Sequence, residues 1–255
     1  MSSTRLPGKV MLPLAGKPMI QQIVDRANAC RNVGEVIVAT SSQESDDALA
    51  SYCEQNQIKI FRGSLTNVLS RYVHILESTD YEYCVRITGD CPLIHPPFID
   101  AQIDALIKYE ADFTWFSRHA SVFEGQGVIS KRAVSLVGMN SNDPDDLEHV
   151  GSKYFLINHN KFKFVEMVIP DFYYSFKYRF TLDEMDDYRM LSDIFDRSWS
   201  NEIPNMDDIL GWLEEVNETH IHNRNVMHSS INQELEKKRE TFTPSLVGSW
   251  NWKGM

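Results

Sequence analysis

The chain has 255 residues and a formal net charge of −11. That length suits one large α/β domain, or one domain with an appendage, and allows a substantial core; the acidic balance argues against a general nucleic-acid binder, which needs a basic face. The four cysteines, Cys30, Cys53, Cys84 and Cys91, form no C-x-x-C pair, and neither a signal peptide nor a long apolar run is read, so a soluble cytoplasmic chain with reduced thiols and no stable membrane insertion is expected.

Ser2-Ser3-Thr4-Arg5-Leu6-Pro7-Gly8-Lys9 opens the chain as a short loop. Gly8 lets the backbone approach an anion, successive N–H groups can form a concave donor array, and Arg5 and Lys9 supply positive charge. Such a loop suits a polyphosphate; a solvated terminus is the bland alternative. Pro18 to about Arg31 is predicted as a helix, from the spacing of Ile20, Ile23, Val24 and Ala27. Glu35–Thr40 reads as a buried strand. A helix capped by Ser45 runs to about Asn56, and Ile58–Phe61 is the next strand. Asn67 to about Glu77 is helical, Tyr83–Ile87 a buried strand, and Pro96 to about Tyr109 a helix. This alternation predicts a mostly parallel sheet with helices on both faces.

Two acidic positions fall at predicted strand ends. Thr88-Gly89-Asp90 follows the Tyr83–Ile87 strand at once, and ligands of open α/β sheets sit at the carboxyl ends of strands. Asp90 is placed to hold a magnesium ion there; a plain Gly-Asp turn is the alternative. Tyr178–Asp183 reads as a short strand before a helix that opens with Glu184-Met185-Asp186-Asp187. Asp183 is either a ligand at the strand end or the N-cap of that helix.

The middle third is looser. Asp112–Phe116 and Phe162–Ile169 read as strands, Lys131–Val137 as a short helix, and the stretch from Asn142 to His149 as an acidic turn and helix start. Phe172, Tyr173, Tyr174, Phe176 and Tyr178 form either a core face or a sugar platform or subunit contact. Met206–Val216 is the last helix of the domain. Beyond Ser230 come a charged helix over Gln233–Glu240 and a tail with Trp250 and Trp252, which should dock on something. His220-x-His222 lacks evident third and fourth metal ligands, and Cys91 reads as a small residue tucked into a turn.

STRLPGKV…LAGKPMI, VRITGDCPLI and RFTLDEMDDYRML together resemble the cytidylyltransferases that activate acidic sugars, nearest the SpsF-like spore-coat polysaccharide branch, with the CMP-Kdo and CMP-acylneuraminate synthetases as relatives. Gly63 to Tyr72 resembles that branch's G-x-x-x-DVLSRY motif, with Asn67 where Asp is usual. The resemblance implies a Rossmann-like (GT-A-like) nucleotidyltransferase fold over residues 1–229, with a middle region, about 111–178, for sugar binding and subunit contact, and a tail over 230–255. It implies transfer of CMP from CTP to an acidic or unusual sugar, with release of pyrophosphate, for surface polysaccharide synthesis by a homodimer. Arg5, Lys9 and Asp90 take catalytic roles; Thr4, Arg5, Gly8, Lys9, Arg71, Thr88 and Gly89 contact the nucleotide; Asp90 and Asp183 hold Mg2+. His149, beside Glu148, matches an E-H pair that contacts the sugar or caps a helix.

Two departures accompany the resemblance. In the family a hydrophobic strand and an Ala-Arg pair precede the residue matching Met1, so the first, central strand is expected to be missing from the chain as it stands; a start codon assigned too late is favoured over a trimmed chain or a degraded homologue. The branch's acidic G-x-D-V-E stretch is replaced by Glu124-Gly125-Gln126-Gly127-Val128-Ile129-Ser130, which puts the sugar acceptor in question. The rival readings are a glycosyltransferase that uses a nucleotide sugar, for which a D-x-D pair after Tyr83–Ile87 is wanting, and an inactive or non-enzymatic nucleotide-binding homologue.

Overall fold

A computed structural model of the chain describes residues 5–116, 120–176, 178–197, 203–216, 222–223 and 246–254. Thr4 of the phosphate loop, His220 and the charged helix expected over 233–240 lie outside those residues.

In chain order the elements are β1 (Pro13–Leu14), β2 (Lys17–Pro18), α1 (Met19–Asn28), β3 (Ile37–Ser41), α2 (Asp47–Gln55), β4 (Lys59–Gly63), α3 (Val68–Glu77), β5 (Tyr83–Ile87), α4 (Pro96–Tyr109) and β6 (Phe113–Trp115). They continue with β7 (Gln126–Ser130), α5 (Lys131–Asn140), α6 (Pro144–His149), α7 (Ser152–Ile157), β8 (Phe164–Val168), α8 (Met185–Asp196), α9 (Met206–Glu215) and β9 (Leu246–Asn251). β1 and β2 form a small hairpin that turns through Ala15 and Gly16, both at positive φ. β3 and β4 pair in parallel. The larger sheet runs β5-β7-β6-β8-β9; β6/β8 and β8/β9 are parallel, and β7 is antiparallel to both its neighbours. The fold is the expected α/β architecture, but the sheet is mixed and lies in two parts, with no hydrogen bonds between β3 and β5.

Helices cover both faces of the larger sheet. Val128 of β7 belongs to the main core with residues of α1, α4, α8 and α9, whereas its neighbour Ile129 belongs to a second core with residues of α3, α5 and α7. Since consecutive strand residues point to opposite faces, the two cores flank one sheet. Helix starts are chemically specified. The Asn67 side chain accepts from Ser70 N at 2.9 Å and so caps α3. His95 Nδ1 accepts from Phe98 N at 3.1 Å ahead of Pro96, and Ser130 Oγ accepts from Ala133 N.

Several sequence expectations are corrected. Ser45 is not a cap; it lies in a single 3-10 turn. Its neighbour Asp46 is buried and accepts from the Thr40 and Ser41 hydroxyls, each at 2.6 Å. Tyr178–Asp183 forms no ladder: Arg179 O accepts from Asn223 Nδ2, Leu182 N donates to Asp90 O, and Asp183 N donates to Asp187 Oδ2. Asp183 is not the N-cap of α8; Glu184 is, in a capping box with Asp187. Tyr173 and Phe176 are core residues, while Phe172 stays exposed. The tail docks on its own chain: β9 extends the sheet, and the Trp252 ring packs 4.9 Å from Phe98 and 5.2 Å from Tyr173. No helix among the described residues is long and apolar enough to cross a membrane.

Candidate active site

The site forms at the carboxyl end of β5. Past Ile87 the chain turns: Thr88 N donates to Gly125 O at 3.0 Å, and Cys91 N to Thr88 O at 3.1 Å. Gly125 sits at φ 68°, and a Cβ there would run into Thr88 Oγ1 and Cys91 Sγ. The turn is therefore packed against β7 with no room for a side chain. Burial, then the Asp90 charge, push the Cys91 thiol well above its ordinary range, and the buried side chain packs the turn.

Asp90 is joined to the second acidic position through the backbone, Leu182 N donating to Asp90 O at 2.7 Å. Asp187, fully buried, then fixes the local chain. Its Oδ2 accepts from Asp183 N at 2.9 Å and Glu184 N at 2.8 Å, and its Oδ1 accepts from Arg179 Nε at 3.0 Å. Asn223 Nδ2 also donates to Asp187 Oδ1, at 2.9 Å. Asp183 is thus pinned from behind with its carboxylate forward.

The N-terminal loop closes the site. Gly8 adopts φ 72°, the left-handed turn for which glycine is suited, and starts the short turn that carries Lys9. Lys9 Nζ lies 2.9 Å from Asp90 Oδ2 and 2.9 Å from Asp183 Oδ1. Arg5 reaches Asp183 at 3.0 Å and Glu184 at 3.4 Å. Burial alone would lower the Lys9 pKa, but Asp90 and then Asp183 outweigh it and raise the ammonium above its ordinary value. Burial likewise favours neutral Asp90, yet Lys9, Thr88 and the Asp90 backbone hold its carboxyl below the usual range.

Arg5, Lys9, Asp90 and Asp183 therefore converge as the sequence suggests, with Gly8, Thr88 and Gly89 in the loops that carry them. A Cβ on Gly89 would meet only Val10 Cγ1, at 3.6 Å, so this glycine marks the contact between the turn and the N-terminal loop. Arg71 is placed differently. It is buried, donates through Nη1 to Ala39 O at 2.7 Å in the middle of β3, and keeps Nε without a partner. Glu184, Asp187, Arg179 and Gly125 escaped the sequence reading as site residues; the run of acids after Asp183 was the one visible signal.

Among the described residues no group of three or more His, Cys, Asp or Glu forms a ready metal cage. Magnesium does not require one. It is commonly held by one or two carboxylates, with waters and substrate phosphates completing its shell. Asp90 and Asp183, facing one another across an ammonium, fit that donor set. His222 pairs with Asp193 at 3.1 Å.

The profile of a family described as cytidylyltransferase matches residues 1–199. The chain belongs to the cytidylyltransferase family. It is 28% identical over 203 residues to the spore coat polysaccharide biosynthesis protein SpsF of Bacillus subtilis, covering 78% of this chain and 84% of that protein. It is 31% identical over 137 residues to a 3-deoxy-manno-octulosonate cytidylyltransferase of Haemophilus influenzae, about half of each chain (53% and 53%). Among solved structures, a cytidylyltransferase from Leptospira borgpetersenii superposes with a TM-score of 0.79 at 26% identity, over 89% of this chain and 95% of the other. A CMP-2-keto-3-deoxy-manno-octonic acid synthetase complexed with CTP shares the fold at a TM-score of 0.55 and 16% identity, over 76% and 94%. This cytidylyltransferase is thus a nucleotidyltransferase, with Lys9, Asp90 and Asp183 gathered at one end of β5.

Proposed function

We propose that this cytidylyltransferase transfers CMP from CTP to a hydroxyl of an acidic or otherwise unusual sugar, releasing pyrophosphate, in surface polysaccharide synthesis. The observation that carries the reading is Lys9 Nζ held between Asp90 and Asp183, with Arg5 alongside. The sugar oxygen bonds to the α-phosphorus as the bond from that phosphorus to the α,β-bridging oxygen breaks. The bridging oxygen leaves with the electron pair in pyrophosphate, and the hydroxyl proton passes to solvent. Such transfers ask for positioning and charge neutralisation more than covalent chemistry.

Lys9 and Arg5 grip the β- and γ-phosphates, Lys9 as a point charge and Arg5 through its fork. Thr4 and Gly8 add loop contacts, and Thr88 and Gly89 line the nucleotide. Arg71 offers a buried, unpartnered Nε for a base or phosphate contact. Mg2+ on Asp90 and Asp183 supplies Lewis-acid neutralisation of the phosphate oxygens when bound. Residues 1–229 form the catalytic domain. Within it, about 111–178 serve the sugar and a homodimer contact through the exposed Phe172 face. The names of the Bacillus and Haemophilus relatives support both the sugar class and the polysaccharide role.

The test is pyrophosphate release by the full chain with CTP, UTP, ATP or GTP and a panel of sugar acids. CTP is expected to be favoured by at least about tenfold, a difference of about 1.4 kcal/mol in transition-state stabilisation, and EDTA to stop the reaction. Equal use of ATP, or full activity in EDTA, contradicts the proposal.

A further inference from the structure

One face of the larger sheet opens along a single row of residues. Arg86 of β5 and Gly127 of β7 are Cα partners, and so are Trp115 of β6 and Glu166 of β8. Phe113 pairs with Ile129 in antiparallel register, so two residues further along each strand Trp115 falls beside Gly127. The row across the sheet is Arg86, Gly127, Trp115, Glu166. The adjoining row on the same face is Cys84, Ile129, Phe113 and Phe164, which form or pack against the second core. Helices α3, α5 and α7 cover that adjoining row, and the cover ends one row nearer the carboxyl end of β5. Arg86, Gly127, Trp115 and Glu166 are each partly exposed. A Cβ added to Gly127 would meet nothing within 4 Å, so the space over the row is open.

The charges of this row define what can cover it. Among the described residues neither the Arg86 guanidinium nor the Glu166 carboxylate has a hydrogen-bond or ion-pair partner. Covering a charge without pairing it is costly. A ligand lying along the row must therefore bring an anion to Arg86 and a cation to Glu166; a neutral ligand desolvates both and pairs neither. The two residues stand three strand spacings apart, about 14 Å. That span suits an eight- or nine-carbon chain with a hydrogen bond at each end, and exceeds a six-carbon sugar. Between them the Trp115 indole, packed on the second core, offers an apolar wall to the C–H face of a sugar. The orientation follows from β5. Arg86 lies four residues before Asp90, at most about 14 Å away, so the anionic end of the ligand is the end nearest the transfer centre. Arg71, assigned above to the nucleotide, bonds to β3, which faces the other edge of β5 across a cavity. The row runs from β5 the opposite way, through β7 and β6 to β8.

We propose that this row is the acceptor subsite and that its ligand is a long-chain amino sugar acid, with its carboxylate on Arg86, its apolar face on Trp115 and an ammonium group at its far end on Glu166. The proposal rests on the transfer reaction proposed above and names the class of acceptor that reaction uses. Its test reads binding, not turnover.

Three probes are titrated calorimetrically into the full chain in the presence of CMP: N-acetylneuraminate, its 9-amino-9-deoxy derivative, and the methyl ester of that derivative. The 9-amino acid is expected to bind at least about tenfold tighter than N-acetylneuraminate, and at least about tenfold tighter than its ester, since each comparison removes one charge-assisted contact. Glu166→Gln is expected to abolish the first difference and keep the second. Arg86→Gln is expected to abolish the second and keep the first. Gly127→Asp, whose Cβ has room, places a carboxylate beside Arg86 and is expected to act as Arg86→Gln does, which keeps the test decisive if one of the two fails to fold by thermal unfolding. No binding of the 9-amino acid, equal binding of the three probes, differences that survive the variants, or both differences vanishing with a single change overturns the proposal. CMP is titrated first on its own: absent CMP binding contradicts the nucleotide reading, whereas the acceptor row is decided by the differences among the probes.

Discussion

Lys9 carries its charge between two carboxylates, and the signs of the shifts define when that arrangement holds. Its pKa is raised from 10.5, so the stability it gains from Asp90 and Asp183 is present below that pH and lost as pH rises through the higher folded value. Asp90 is lowered from 3.8, so its contribution is present above that pH and lost as pH falls through the lower folded value. The cluster is intact across the neutral range. Asp187 reaches no substrate position yet holds Asp183 by its backbone, which makes it a positioning residue. Asp187→Asn leaves buried Arg179 without its main counter-charge, and breaking such a pair costs about 3–5 kcal/mol. The expected result is a lower Tm together with a higher Mg2+ concentration for half-maximal rate. An unchanged Mg2+ requirement would mean that Asp187 serves folding alone. Arg5, Lys9, Asp90 and Asp183 were legible in the sequence because each residue type suits phosphate or magnesium and falls at a loop or strand end. Asp187 was not, because the amides it binds are presented only once residues 179–183 have left strand geometry.

At the scale of elements, β5 and α4 keep their predicted bounds. Both are set locally, β5 by an apolar run ending at a Gly turn and α4 by the paired prolines behind His95. β7 and β9 were invisible in the sequence, since each exists through tertiary pairing with a neighbour already in place. His95 gives α4 a pH signature. Its Nδ1 must be unprotonated to accept from Phe98 N, and burial, with a smaller effect from Arg26, lowers its pKa to about 4. The unfolded chain binds this proton first, so stability should fall as pH drops from 6.5 through about 4. The full loss is about 3 kcal/mol, at 1.36 kcal/mol per pKa unit. His95→Asn keeps a capping acceptor without the titration, and its urea-unfolding free energy should lose this slope between pH 6.5 and 4. A slope identical to that of the wild type would remove His95 from the account.

For the whole molecule, the sheet lies in two parts, with an open cavity of about 440 Å3 between β3 and β5. The β/α alternation made the architecture legible, whereas the gap could be anticipated only from the family resemblance. The same core bears on assembly. Tyr173 is 2% exposed, donates to Asp207 and packs on Trp252 and Phe123 within its own chain. Tyr173→Ser should therefore lower Tm markedly with no change in sedimentation until unfolding. Dissociation of a dimer at unchanged Tm would instead put this ring at a subunit contact.

The account rests on Lys9, Asp90 and Asp183 forming one cytidylyl-transfer centre. Its most direct test is the initial rate of pyrophosphate release from CTP by the wild type, Asp90→Asn and Asp183→Asn. Each substitution is expected to lower the rate by about a hundredfold or more, as for other losses of preorganised charge stabilisation, while thermal unfolding shows the variants folded. Rates unchanged in both folded variants would contradict the two-carboxylate centre.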